Sequence, residues 1–118
     1  MNETNLRLVI EALRSGTYRQ GIGWLRNHDR YCCLGVTCDI YHQETGRGQW
    51  RVFGFDGDPV ALQNNVRNWI GFNSKDGPAI GRWRSSAFGN DKGMTFLEIA
   101  DAWEALLTQQ LEAQTCPT

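Results

Sequence analysis

The chain has 118 residues, 41% of them hydrophobic and 21% charged, with a formal net charge of −1. That length fits one domain, which buries roughly two-thirds of its unfolded surface and so builds a core without metal or disulfide staples. Near-neutrality argues against a general nucleic-acid coat, and no run of about 18 apolar residues offers a membrane span. The start, Met1 to Asn5, lacks a basic n-region and a long apolar stretch, so no secretory leader is expected there.

The first helix, near 5–15, is read from Leu6, Val9, Ile10 and Leu13 at i, i+3, i+4 and i+7, with Thr4 as cap and Gly16 as the left-handed stop. Residues 18–34 follow as a β-hairpin. Its aromatic and aliphatic flanks surround the turn formers Asn27-His28-Asp29-Arg30, and Gly21 and Gly23 suggest a bulge in the first strand. A second helix spans 34–42 and breaks at the stretch from Gln43 to Gly48. Residues 49–53 read as a strand, and Asp58-Pro59 caps a third helix over 59–70 with Leu62, Val66, Trp69 and Ile70 as its apolar stripe. Residues 72–93 read as a long glycine-rich loop with a short strand at 82–86, and loops of that length in small domains are often functional. The final helix, 95–111, opens on a Thr95/Glu98 capping box with Met94 as a hydrophobic staple, and the tail from Ala113 to Thr118 should fray. The expected class is therefore a single α+β domain over residues 1–118, a small antiparallel sheet packed against about four helices.

Charge is unevenly placed. The twelve bases are ten arginines plus Lys75 and Lys92, and arginine offers a planar fork suited to carboxylates, phosphates and aromatic faces. From Thr95 onward there are four acids (Glu98, Asp101, Glu104, Glu112) and no base. An acidic helix beside a mildly basic body favours self-association or a charged partner, so a homo-oligomeric, structural module is one reading.

The cysteines are the other chemical resource. His28, Cys32, Cys33, Cys38 and His42 have a zinc-like ring to their order, but adjacent Cys32 and Cys33 on a strand point to opposite faces and share one metal poorly. Buried thiols are the ordinary alternative. A cysteine-dependent enzyme is the catalytic reading, because Cys32 or Cys33 just before a helix would have a lowered pKa, with His28 or His42 as base. No Walker loop, dinucleotide fingerprint or metalloprotease motif is present, so no cofactor, metal or catalytic residue is assigned. Among exposed candidates, Arg82-Trp83-Arg84 on a strand would put both guanidinium groups on one face, able to grip a phosphate, a carboxylate or an aromatic ring.

Two motif blocks carry a resemblance. Ala12-Leu13-Arg14-Ser15-Gly16-x-Tyr18-x-Gln20-Gly21-x-Gly23-x-Leu25-Arg26 and Tyr31-Cys32-Cys33-Leu34-Gly35-Val36-x-Cys38-Asp39, with Val66-x-x-Trp69-x-Gly71 and the run from Asn90-Asp91 to Asp101, resemble a family of small proteins of tailed phages and prophages. The chain departs from that family just before Asn90, where Ala87-Phe88-Gly89 stands in place of the usual leucine. The resemblance implies a small accessory protein of the host cytoplasm, non-enzymatic, acting on a host protein or on a small anionic, nucleotide-like ligand. A counter-defence inhibitor or a nucleotide sponge would be such a protein. Arg14, Gln20, Arg26, Asn90 and Asp91, polar and within the shared motifs, join Arg82, Trp83 and Arg84 as the candidate binding residues. Neither a membrane nor nucleic acid in general is an expected partner.

Overall fold

The computed structural model describes residues 1–52 and 54–115. In chain order these form α1 (Glu3–Arg14), β1 (Arg19–Gln20), β2 (Arg26–Asn27), β3 (Arg30–Tyr31), α2 (Cys33–Thr45), β4 (Trp50–Arg51), β5 (Gly54–Phe55), α3 (Asn64–Ile70), α4 (Ser86–Asp91) and α5 (Phe96–Thr115). The α+β class holds: five helices surround one core, with two very small sheets at its edge.

The stripe expected on α1 is buried as Leu6, Val9, Ile10 and Leu13. It packs chiefly on α5, where Phe96, Ile99, Ala100, Trp103 and Leu107 are buried. The cap of α1 is Asn2, whose side chain accepts from the Asn5 N–H at 3.0 Å, and not Thr4, which lies inside the helix. The Thr95/Glu98 box forms reciprocally at α5, with bonds of 3.0 and 3.1 Å. That helix continues to Thr115, so the expected fraying at 113–115 does not occur; the rest of the tail lies outside the described residues. Buried Trp103 donates its Nε1–H to Ser86 Oγ at 2.8 Å, and Ser86 in turn donates to the Pro78 carbonyl at 2.6 Å, leaving no orphan polar atom at the centre.

The hairpin is tighter than expected. β2 and β3 pair antiparallel around the two-residue turn His28-Asp29, while β1 pairs with β3 in parallel, giving the order β1-β3-β2. The 49–53 strand does not join that sheet: β4 pairs with β5 instead, and Phe53 lies outside the described residues. α2 starts one residue earlier than expected and runs to Thr45, where Gly46 stops it in the left-handed conformation at φ +70°. α3 is shorter than the expected 59–70. The Pro59 carbonyl accepts from Leu25 N–H and the Leu62 N–H donates to the Lys75 carbonyl, so these backbone groups are bonded outside the helix. Asp58 makes a turn, accepting from the Val60 and Ala61 N–H groups, and caps nothing. The strand expected at 82–86 is absent. Trp83 instead folds back on Ile80 through two backbone hydrogen bonds, and Ser85 caps α4 by accepting from Phe88 N–H at 3.1 Å.

Candidate functional site: the α4 face

The eight candidate residues do not converge on one site. Arg14 reaches across to α5 and binds both Asp101 and Glu104 at 2.8 Å, so two of the acids on that helix are met by a base of the same chain. This arginine bond holds the Glu104 carboxyl below its usual range. Gln20 donates to Asn90 Oδ1 (2.9 Å) and the Met94 carbonyl (2.7 Å), and accepts from the Phe96 N–H (3.0 Å) at the start of α5. Asn90, 1% exposed, donates to the Gly21 carbonyl at 2.8 Å and accepts from Cys33 N–H at 3.2 Å. Because Cys32 caps α2 without a side-chain bond, Asn90 supplies from α4 the acceptor that the helix start lacks. Asp91 accepts from Gly23 N–H at 2.9 Å. Gln20, Asn90 and Asp91 are therefore a clasp that joins the 20–23 loop to α2, α4 and α5. Arg26 lies apart, its guanidinium 4.5 Å from the centroid of the Trp50 ring.

The other candidates gather on α4. Arg82 lies 5.0 Å from the Trp83 ring centroid, and Trp83 meets Phe88 edge-on at 5.5 Å. Phe88 carries Arg84 at 5.1 Å and Lys92 at 5.2 Å. The two guanidinium groups thus sit on different rings rather than sharing a strand face, because the 82–86 segment turns. Among the described residues, Arg82, Arg84 and Lys92 form no salt bridge. Phe88, Arg84, Ala87 and Asp91 line a cleft of about 230 Å³ together with Gly23, Val60 and Asp76.

Three segments meet at this cleft. Gly23 is tied to Asp91, and Leu25 N–H donates to the Pro59 carbonyl at 2.8 Å, which sets the 22–25 loop beside Val60. Ile22, Trp24 and Val60 remain 62%, 50% and 48% exposed. Sequence reasoning passed over Trp24, Val60, Phe88 and Lys92. The available signal was large apolar residues inside glycine-rich segments, outside any helical stripe.

The cysteines show the opposite of an activated nucleophile. Cys32, Cys33 and Cys38 are buried and free, and burial pushes the Cys32 thiol up to about 11 and raises Cys33 and Cys38 as well. The desolvation of a thiolate outweighs the helix N-terminus that was expected to lower these values. His28 sits exposed in the hairpin turn, His42 faces the Arg47 carbonyl at 2.9 Å, and neither bonds a thiol. Among the described residues no three His, Cys, Asp or Glu side chains group to hold a metal ion. Likewise, no helix there is long and apolar enough to cross a membrane.

Two outcomes follow for the thiols. In the native protein they should react with iodoacetamide at least about 100-fold more slowly than in urea, because reaction requires opening of the core. Their folded-state pKa values lie above the ordinary 9.0, so their stabilising contribution is complete below pH 9 and falls as pH climbs toward 11. Tyr18, raised in the same direction by burial and its bond to Asp39, adds to that loss. Urea midpoints at pH 7.5, 9.5 and 10.5 should decline in order, and a flat series contradicts the burial.

No curated protein and no solved structure matches the chain. Residues 1–107 match the family described as domain of unknown function DUF8296, and the chain belongs to that family.

Proposed function

We propose that this is a non-enzymatic binding protein that docks a partner protein on the α4 face. The observation that carries the reading is the grouping of exposed Ile22, Trp24 and Val60, on two segments joined by a backbone hydrogen bond, with the Phe88 cleft and with Arg84 and Lys92 over the Phe88 ring. Scattered exposed apolar residues are ordinary, whereas tryptophan, other aromatics and arginine around a cleft match the composition of interface hot spots. The cations would meet carboxylates on the partner, which also steers approach. The resemblance to small tailed-phage proteins makes a host protein, met in the host cytoplasm, the expected partner.

The test is affinity capture from host lysate, followed by titration of the captured protein against purified variants. Trp24→Ala and Arg84→Glu should each weaken binding by roughly tenfold or more, since truncated hot-spot residues typically cost 2 kcal/mol or above. Arg7→Glu, on α1 and outside the lining of the cleft, serves as a control. If both α4-face variants bind like the wild type, this face is not the interface.

A further inference from the structure

A separate, cationic cleft lies between the two hairpins. It has a volume of about 250 Å³ and is lined by Arg26, Asn27, His28, Trp50, Arg51, Val52 and Gly54. Among the described residues two arginines and a histidine line it, and no carboxylate does. The neighbouring acids already have donors: Asp29, in the hairpin turn, is bound by Arg19 at 2.9 Å, Asp56 accepts from the Gln49 N–H at 2.8 Å, and Asp58 accepts from the Val60 and Ala61 N–H groups, while Asp39 holds Trp50 Nε1 at 2.9 Å and accepts from Tyr18.

The cleft is also held rigid. Trp50 is fixed by Asp39 and by edge-on contacts with Tyr31 (5.8 Å) and Phe55 (5.1 Å), and Arg26 lies against the Trp50 ring. A stacked guanidinium keeps its N–H edge for other acceptors and loses little freedom when it binds one. Neither Arg26 nor Arg51 is in a salt bridge among the described residues. His28 occupies the turn with φ +57°, the left-handed conformation that a two-residue hairpin turn requires.

We infer that this inter-hairpin cleft binds a phosphate or pyrophosphate group, free or at the end of a small ligand. Its volume suits one such group and is small for a whole ligand, which would extend past exposed Val52. Arg26 and Arg51 would make charge-assisted bonds to the phosphate oxygens, with His28 as a further donor. The α4 cleft suits an anion less well, because Asp76 and Asp91 line it. The inference is independent of partner docking on α4.

Isothermal titration calorimetry on the full chain at low salt tests it, with inorganic pyrophosphate, adenosine diphosphate and an oligothymidylate as separate probes. Saturable binding of pyrophosphate and adenosine diphosphate is expected. Arg51→Glu, at an exposed position, should weaken both by roughly tenfold or more, and Arg26→Lys should weaken them while keeping the charge. Arg84→Glu should leave them unchanged. The inference is overturned by no saturable heat at millimolar pyrophosphate and adenosine diphosphate, by binding of the oligonucleotide alone, or by equal losses in Arg51→Glu and Arg84→Glu.

Discussion

Gly35→Ala is expected to destabilise the protein by about 3 kcal/mol or more, lowering Tm by roughly 10 °C. Helix propensity alone forecasts the reverse, because Gly35 lies in the first turns of α2 and alanine is favoured there by about 1 kcal/mol. A Cβ at this position, however, would overlap the carbonyl oxygen of Leu25. That carbonyl belongs to a backbone fixed by two hydrogen bonds, from Cys32 N–H to the Leu25 oxygen and from Leu25 N–H to the Pro59 oxygen. No side chain can swing away to relieve the overlap, so the loop from 22 to 25 must move as a unit. Gly46→Ala makes the comparison sharp. Its Cβ would meet open space, and only the left-handed φ of +70° is penalised, by roughly 1–2 kcal/mol. Denaturant titration of both variants decides the matter, and a Gly35→Ala protein as stable as the wild type would show that the loop is not pinned there.

The second large effect is expected at Asn90. Asn90→Ala removes a buried amide that donates to the Gly21 carbonyl and accepts from both Gln20 and the Cys33 N–H. The Gly21 carbonyl, the Cys33 N–H and one Gln20 amide hydrogen would lose their partner, and each orphaned buried group costs about 1–3 kcal/mol. A total loss of about 3–4 kcal/mol is a large share of the roughly 5–15 kcal/mol that holds a domain of this size. Asn90→Asp should lose at least as much, since its buried carboxylate can still accept from Cys33 and Gln20 but faces the Gly21 carbonyl oxygen with no proton to donate. Equilibrium unfolding measures the global cost. Amide exchange adds a local readout: protection should fall first at residues 20–23 and at the start of α2. Exchange unchanged in those segments would remove Asn90 from the role of clasp. The same loosening should weaken any partner bound at Trp24, because Gly21 and Gly23 are two of the points that set the loop in place.

These two residues also mark where sequence reading succeeds and where it stops. Helices α1 and α5 were legible because their information is local. The stripe of Leu6, Val9, Ile10 and Leu13, and the Thr95/Glu98 box, lie within a few residues of one another. α4 was not legible. Its six residues include Gly89, and it is held by Ser85 at its start and by contacts from distant segments, such as Ala87 N–H to the Asp76 carbonyl at 3.0 Å. β1 was misjudged for a similar reason. Its two residues carry no signal of direction, and its parallel pairing with β3 depends on how the 20–25 loop is tied down.

The candidate site divides along the same line. Arg82, Trp83 and Arg84 were recognisable as binding types, but their stacking on Trp83 and Phe88 arises from a turn that links Ile80 to Trp83. Gln20 and Asn90 looked like ligand-facing residues because they are polar and lie in shared motifs. Burial gives them another role, as internal caps for two helices whose starts are 57 and 76 residues away in sequence.

The sequence by itself determined the α+β class, the two long packing helices, the free thiols and the excess of arginine over lysine. Each of these follows from composition or from periodicity over one or two helical turns. The tertiary structure alone decided which polar residues close the core and which face solvent, and it created both clefts. Hydrogen bonds and ring contacts between segments tens of residues apart act over a few ångströms in space, and no local pattern along the chain records them.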